Sequence, residues 1–202
     1  SLHDALPIYY IEMDGKVIYE NNLSADMVQK VIRVLSECKM PVVLEGSTDY
    51  WIDDEGFEND PYVDYLFESL GEHAHIIRGY DGEIRINKFS ADVIDGTDYE
   101  RVKAEFADDF LILEHVENVV EFVPKGTSKA TGIKWLCNHL DIPLDETYAI
   151  GDSVNDLEML ESVGHGIAMG NSMPPAKEIA EYVTSDISDD GVKNALKHYG
   201  LI

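Results

Sequence analysis

The chain has 202 residues, 45% of them apolar, enough to bury a hydrophobic core as one large domain or two small ones. Its 40 Asp and Glu against 15 Lys and Arg give a net charge of −25, which repels nucleic-acid backbones and anionic membrane surfaces, so neither is expected as a partner. Cys38 and Cys137 stand apart without metal-like or redox spacing, and no apolar run approaches the length of a membrane span; a reduced, cytoplasmic compartment fits best.

In chain order, residues 1–8 (SLHDALPI) lack the basic and apolar regions of a signal peptide, fit no structural element and resemble translated adapter sequence. Tyr9–Met13 and Lys16–Glu20 are β-prone runs around Asp14-Gly15, so residues 9–20 are expected to form a hairpin leading into the next unit. Ser24 is placed to cap a helix whose Met27, Val31, Val34 and Leu35 make one apolar face, and PVVLE after it reads as a buried strand. Pro61 can start a helix running to Leu70. The stretch His75–Phe89 reads as strand, Asp81-Gly82 turn, strand; DYERVKAEF as a short charged helix; FLILEH and NVVEFV as two further strands. Hairpins mixed with helices predict a compact α+β unit over residues 21–120.

From Glu121 the rhythm changes. Helices are predicted over Ser128–Leu140, Asn155–Ser162, Pro174–Ala180 and Asp190–Tyr199, alternating with strands at Thr147–Ile150, Gly166–Ala168 and Tyr182–Thr184. Strict alternation is the pattern of a parallel, doubly wound α/β sheet, here over residues 121–202. Ligands of such sheets sit beyond the carboxyl ends of the strands, where Asp152 falls, directly after Tyr148-Ala149-Ile150-Gly151.

Asp152 is followed by Asn155 and Asp156 at a helix start. Together they can present hard oxygen ligands to Mg²⁺, and the helix amino terminus beside them favours an anion such as phosphate. Asp152, Ser153 and Asn155 could instead only form the turn and cap the helix. An EF-hand loop beginning at Asp152 is excluded, because Leu157 and Val163 stand where Gly and Glu are required. Gly164, Gly166 and Gly170 miss the dinucleotide spacing and lie on a strand. The missing cation is offered by VPKGTSKATGIKWL, where Lys125 and Lys129 flank a helix start with Ser128 as its cap; its place on the crossover just before the Asp152 strand favours a functional lysine over a solvated one. His73 and His75 share a strand face without a third zinc ligand.

VPKGTSKATGIKWL, YAIGDSVNDLEML and GIAMGNSMPPAKEIAEYVT together resemble the C-terminal third of a Cof-type phosphatase of the haloacid dehalogenase superfamily. The resemblance implies a partial Rossmann-like core with an inserted α+β cap, and Mg²⁺-dependent hydrolysis of a small phosphorylated metabolite through an aspartyl phosphate. It makes Lys129 the lysine holding phosphoryl group and nucleophile, Asp152 a metal ligand, Asn155 a phosphate contact and Asp156 a supporting carboxylate.

The family's nucleophile motif, Asp-x-Asp-Gly-Thr, has no match in these residues. IEMDGK carries Glu12 and Lys16 at two of its positions, VIDGT has Val93 where the first Asp should stand, and Asp53-Asp54 has no such glycine directly behind it. The chain is therefore expected to be a fragment, cap plus later half-core, with little or no activity alone. The alternative is a non-catalytic binding module derived from such a phosphatase. Tyr50, Trp51, Tyr62 and Phe89 could line the cap's substrate side or form its core. Substrate and oligomeric state are left open.

Overall fold

The computed structural model describes residues 9–53, 57, 61–115 and 118–202. The readings made on residues 1–8, on Asp54 and on the Tyr62 side chain lie outside them. The chain forms two compact units, residues 9–125 and 126–202.

The first unit opens with the expected hairpin. Strands β1 (Tyr10–Met13) and β2 (Lys16–Glu20) pair antiparallel across Asp14 and Gly15, whose φ values of 53° and 71° are those a tight two-residue turn needs. Helix α1 (Ala25–Glu37) starts at Ser24, whose hydroxyl accepts from the Met27 amide, and it buries Val28, Val31, Val34 and Leu35.

A six-stranded sheet follows, built from β3 (Val42–Glu45), β4 (Tyr50–Ile52), β5 (Ala74–Ile76), β6 (Lys88–Asp92), β7 (Phe110–Glu114) and β8 (Val119–Pro124). Their order is β5-β4-β3-β6-β8-β7. Helices α2 (Pro61–Leu70) and α3 (Tyr99–Phe106) interrupt the strands. All neighbours are antiparallel except β4 and β5, whose crossover is α2.

One sheet face carries Leu44, Trp51, Phe89, Ala91 and Phe122 into a core shared with α1 and with Val102 and Phe106 of α3. Phe89 stacks on Phe122 at 4.5 Å, and Phe106 and Phe110 meet Phe89 edge-on. On the other face Val43 and Ile52 pack with Val63 and Leu66 of α2. This second face also buries three charges. Lys88 Nζ stands 3.0 Å from Glu45 Oε2 and 2.7 Å from Glu121 Oε1, with all three residues under 9% exposed.

The hairpin expected over residues 75–89 does not form. β5 pairs parallel with β4, and β6 inserts between β3 and β8. The local Asp81-Gly82 signal loses to the apolar content of β6, whose Phe89 and Ala91 fill the middle of the core. The Ile86 carbonyl accepts from Leu23 and the Asn87 amide donates to Glu45, which fixes the approach to β6.

In the second unit β9 (Tyr148–Gly151), β10 (His165–Ala168) and β11 (Tyr182–Val183) form a parallel sheet in the order β11-β10-β9. Helix α4 (Lys129–Leu140) precedes it, capped by Ser128 and Thr131 reciprocally. Helices α5 (Leu157–Ser162) and α6 (Pro174–Ile179) pack on Ala149 through Leu160 and Ala176. Helix α7 (Gly191–His198) and the following Tyr199 cover the opposite face, where Tyr182 stacks on His198 at 3.9 Å and Tyr148 meets Tyr199 at 5.1 Å. Helices on both faces make this a doubly wound α/β arrangement. The helix expected from Asn155 begins two residues later. Val154–Asp156 form a 3₁₀ turn first, because the Asp156 carboxylate is drawn back to the Asp152 and Ser153 amides.

Candidate active site

The carboxyl ends of β9 and β10 lie side by side, Ala168 opposite Gly151 in register. At the end of β9 the chain turns sharply through Asp152 and Ser153 into the 3₁₀ turn. Gly151 makes that turn possible, since a Cβ there would sit 2.6 Å from the Asp156 Cβ. Asp156 is thereby folded back under the loop and is only 4% exposed.

Its carboxylate is fully engaged. Oδ1 accepts from Lys129 Nζ at 2.6 Å, and Oδ2 accepts from the amides of Asp152 at 3.0 Å and Ser153 at 3.3 Å. The Ser153 hydroxyl also donates to Oδ2 at 3.3 Å and contacts Asn155 Oδ1. Burial acts to raise the Asp156 pKa; the Lys129 ammonium and the two amides outweigh it and hold the carboxyl below its ordinary range. Asp156 is therefore an anion that orients Lys129, and is not a proton donor at neutral pH.

The loop after β10 holds the same turn from the other side. The Met169 amide at 3.0 Å and the buried Ser172 hydroxyl at 3.1 Å both donate to the Gly151 carbonyl, and the Met173 amide donates to the Asp152 carbonyl at 2.9 Å. The backbone of Asp152 is thus pinned while its side chain is exposed. All four site residues named from the sequence, Lys129, Asp152, Asn155 and Asp156, gather at this one strand end. Sequence reasoning weighed Ser153 only as a turn residue and passed over Ser172 and the close approach at Gly151. The rule that loops beyond adjacent carboxyl ends share a site would have pointed to the Gly170–Met173 loop.

Lys125, the other candidate lysine, gives its ammonium to the Ala107 carbonyl at 2.7 Å. Trp51 and Phe89 belong to the core of the first unit, at 4% and 0% exposure, and Tyr50 packs at the edge of the α2 cluster. His73 and His75 both reach Asp49 Oδ1, at 3.3 and 2.8 Å.

Among the described residues no three His, Cys, Asp or Glu side chains gather as a metal cage. Asp152 contributes one exposed carboxylate beside Asn155. That donor set fits Mg²⁺, a hard cation that keeps several waters and takes one or two protein carboxylates together with substrate phosphate oxygens. No helix among the described residues is long and apolar enough to cross a membrane.

The family model for haloacid dehalogenase-like hydrolases matches residues 9–196. A Bacillus subtilis (strain 168) protein named "Putative phosphatase YkrA" is 30% identical over 210 residues, covering 96% of this chain and 73% of that protein. The 5-amino-6-(5-phospho-D-ribitylamino)uracil phosphatase YitU of the same organism is 40% identical over 82 residues, 41% of this chain and 30% of its own length. Among solved structures, a hypothetical protein from Geobacillus kaustophilus HTA426 superimposes with a TM-score of 0.79 at 26% identity, over 96% of this chain and 74% of that one. A haloacid dehalogenase subclass IIB sugar phosphatase shares the fold, with a TM-score of 0.65 at 21% identity over 96% of this chain and 74% of its own. On the family model and the YkrA match over nearly its whole length, the chain belongs to the haloacid dehalogenase-like hydrolases, an enzyme family several of whose matched members bear phosphatase names.

Proposed function

We propose that these residues form the later half of the catalytic core, and the cap, of a phosphatase that hydrolyses small phosphate monoesters such as sugar phosphates through an aspartyl phosphate. The observation that carries the reading is the Lys129–Asp156 pair beside the exposed Asp152. Phosphoryl transfer asks a protein chiefly to position groups and to neutralise charge on the transferring oxygens. Lys129, fixed by a buried anion, offers its remaining N–H groups to a phosphoryl oxygen and to the nucleophile. Asp156 keeps that lysine charged and aimed. Asn155 stands at the loop tip as a phosphate contact. Asp152 would hold Mg²⁺, which when bound neutralises phosphate charge. The YkrA and YitU names and the sugar-phosphatase fold neighbour support a small phosphorylated substrate. The unit of residues 9–125 takes the part of the cap.

The nucleophilic carboxylate is not among these 202 residues in any Asp-x-Asp-Gly-Thr setting. The chain alone is therefore expected to give no Mg²⁺-dependent turnover of p-nitrophenyl phosphate, yet to bind inorganic phosphate in the presence of Mg²⁺. Calorimetric titration tests the second point: binding should be lost in Lys129→Met and in Asp152→Asn. Phosphate binding unaffected by both substitutions overturns the site. Turnover that disappears in Asp152→Asn overturns the reading that the nucleophile lies elsewhere.

A further inference from the structure

β7 forms one margin of the six-stranded sheet, with β8 on its inner side and no strand among the described residues on its outer side. Its sequence, Phe-Leu-Ile-Leu-Glu, contains no Pro, Lys or Gly, and its register against β8 runs without a bulge. Pro, Lys and bulges are devices by which edge strands are ordinarily protected from pairing; the one charge of β7 is Glu114, at its end.

The hydrogen-bond pattern fixes which groups face outward. The His115 amide donates to the Val119 carbonyl at 2.8 Å and the Lys125 amide to the Asp109 carbonyl at 2.9 Å. Alternation by two then directs the backbone of residues 109, 111, 113 and 115 toward β8, and that of Phe110, Ile112 and Glu114 toward the open edge. Side chains alternate as well. Phe110 is buried in the aromatic core and Ile112 packs against it, while Leu111 and Leu113 stand on the other face at 48% and 39% exposure.

We infer that β7 is a self-pairing edge, through which two copies of this chain join antiparallel about a two-fold axis at Ile112. In that register Ile112 faces its own copy, and Phe110 and Glu114 face each other across the axis. These three are the residues whose backbone groups point outward, so every bond the pairing requires has a donor and an acceptor in place. Leu111 falls opposite Leu113 of the second copy and the reverse, which covers both exposed leucines with apolar cross-strand partners. One step further out Asp109 falls opposite His115, and no like charges meet directly. A symmetric interface must be complementary to itself, and this strand satisfies that condition in hydrogen bonds and in the contact between its leucines, with no like charges opposed. The net charge of −25 opposes association, so the pairing should strengthen as salt screens it.

Sedimentation velocity of the 202-residue chain should show a monomer–dimer equilibrium shifted toward dimer by added salt. Leu111→Glu and Leu113→Glu should return it to monomer with unchanged far-ultraviolet circular dichroism. The double variant Leu111→Cys/Leu113→Cys makes each cysteine a non-hydrogen-bonded neighbour of the other type, with Cα atoms about 4.5 Å apart, within disulfide reach. Mild oxidation should lock it as a covalent dimer much faster than either single variant, an outcome that reads the register even if the glutamate variants fold poorly. A monomer at every soluble concentration, a dimer that survives Leu111→Glu, or single cysteine variants that cross-link as fast as the double one would each overturn the inference.

Discussion

Lys129 and Asp156 are 27 residues apart in sequence and 2.6 Å apart in space, joined by one hydrogen-bonded ion pair between a helix start and a strand-end loop. The other oxygen of the same carboxylate holds the Asp152 amide at 3.0 Å. One buried side chain thus sets both the lysine and the loop. Asp156→Ala should leave the lysine and two amides without their acceptor and cost about 1–3 kcal/mol, since Lys129 is partly exposed and can regain water. Lys129→Met should cost less, because Asp156 keeps both amides. Urea unfolding of the two variants beside the parent chain checks the order.

Acid should undo the same arrangement. The folded pKa of Asp156 is lowered, so its contribution to stability is complete above the ordinary carboxylate pKa of about 4 and is lost as pH falls through the lower folded value. The gap in melting temperature between the parent chain and Asp156→Asn should therefore be wide at pH 6 and close progressively below pH 4. A gap that stays constant with pH would mean that the carboxylate's charge contributes nothing.

Much of this was legible from local pattern. The cap at Ser128 and the turn at Asp14-Gly15 are signals written within a few residues, and both formed as read; the alternation of helices and strands from Ser128 onward formed too, with the helix expected at Asn155 starting two residues late. Asp152, Asn155 and Asp156 could be grouped because they share one loop. What escaped depends on contacts distant in sequence. The Asp81-Gly82 turn was outweighed by the demand for Phe89 between β3 and β8, and Ser172 reaches the Gly151 carbonyl across 21 residues. Lys88, one charge in a strand of mixed character, gave no sign that Glu45 and Glu121 would enclose it.

Gly151 tests the tightness of the loop. An added Cβ would lie 2.6 Å from the Asp156 Cβ and 2.9 Å from Oδ2, so either β9 shifts or the carboxylate turns away from Lys129. Gly151→Ala should cost about 1–3 kcal/mol as an overpacked site and should also weaken phosphate binding. Combining it with Asp156→Gly, which removes the atoms it strikes, should cost less than the sum of the two single changes. Strict additivity in thermal melts would show that the two residues do not meet.

Lys88 is the strongest stability prediction in the first unit. Burial lowers its pKa, while Glu45 and Glu121 raise it by a larger amount, so it is a cation held between two anions within the sheet face. Lys88→Met leaves two carboxylates buried and facing each other, and removal of one partner from a buried ionic group typically costs about 3–5 kcal/mol. Ser90 and His115 each engage one of the carboxylates, at Glu45 Oε1 and Glu121 Oε2, but neither replaces the ammonium between them. Adding Glu45→Gln and Glu121→Gln to Lys88→Met should therefore recover a large part of the loss, because two neutral amides need no counter-charge. Urea unfolding of the single and triple variants decides the point: a triple variant no more stable than Lys88→Met would place the lysine's role in packing and not in charge.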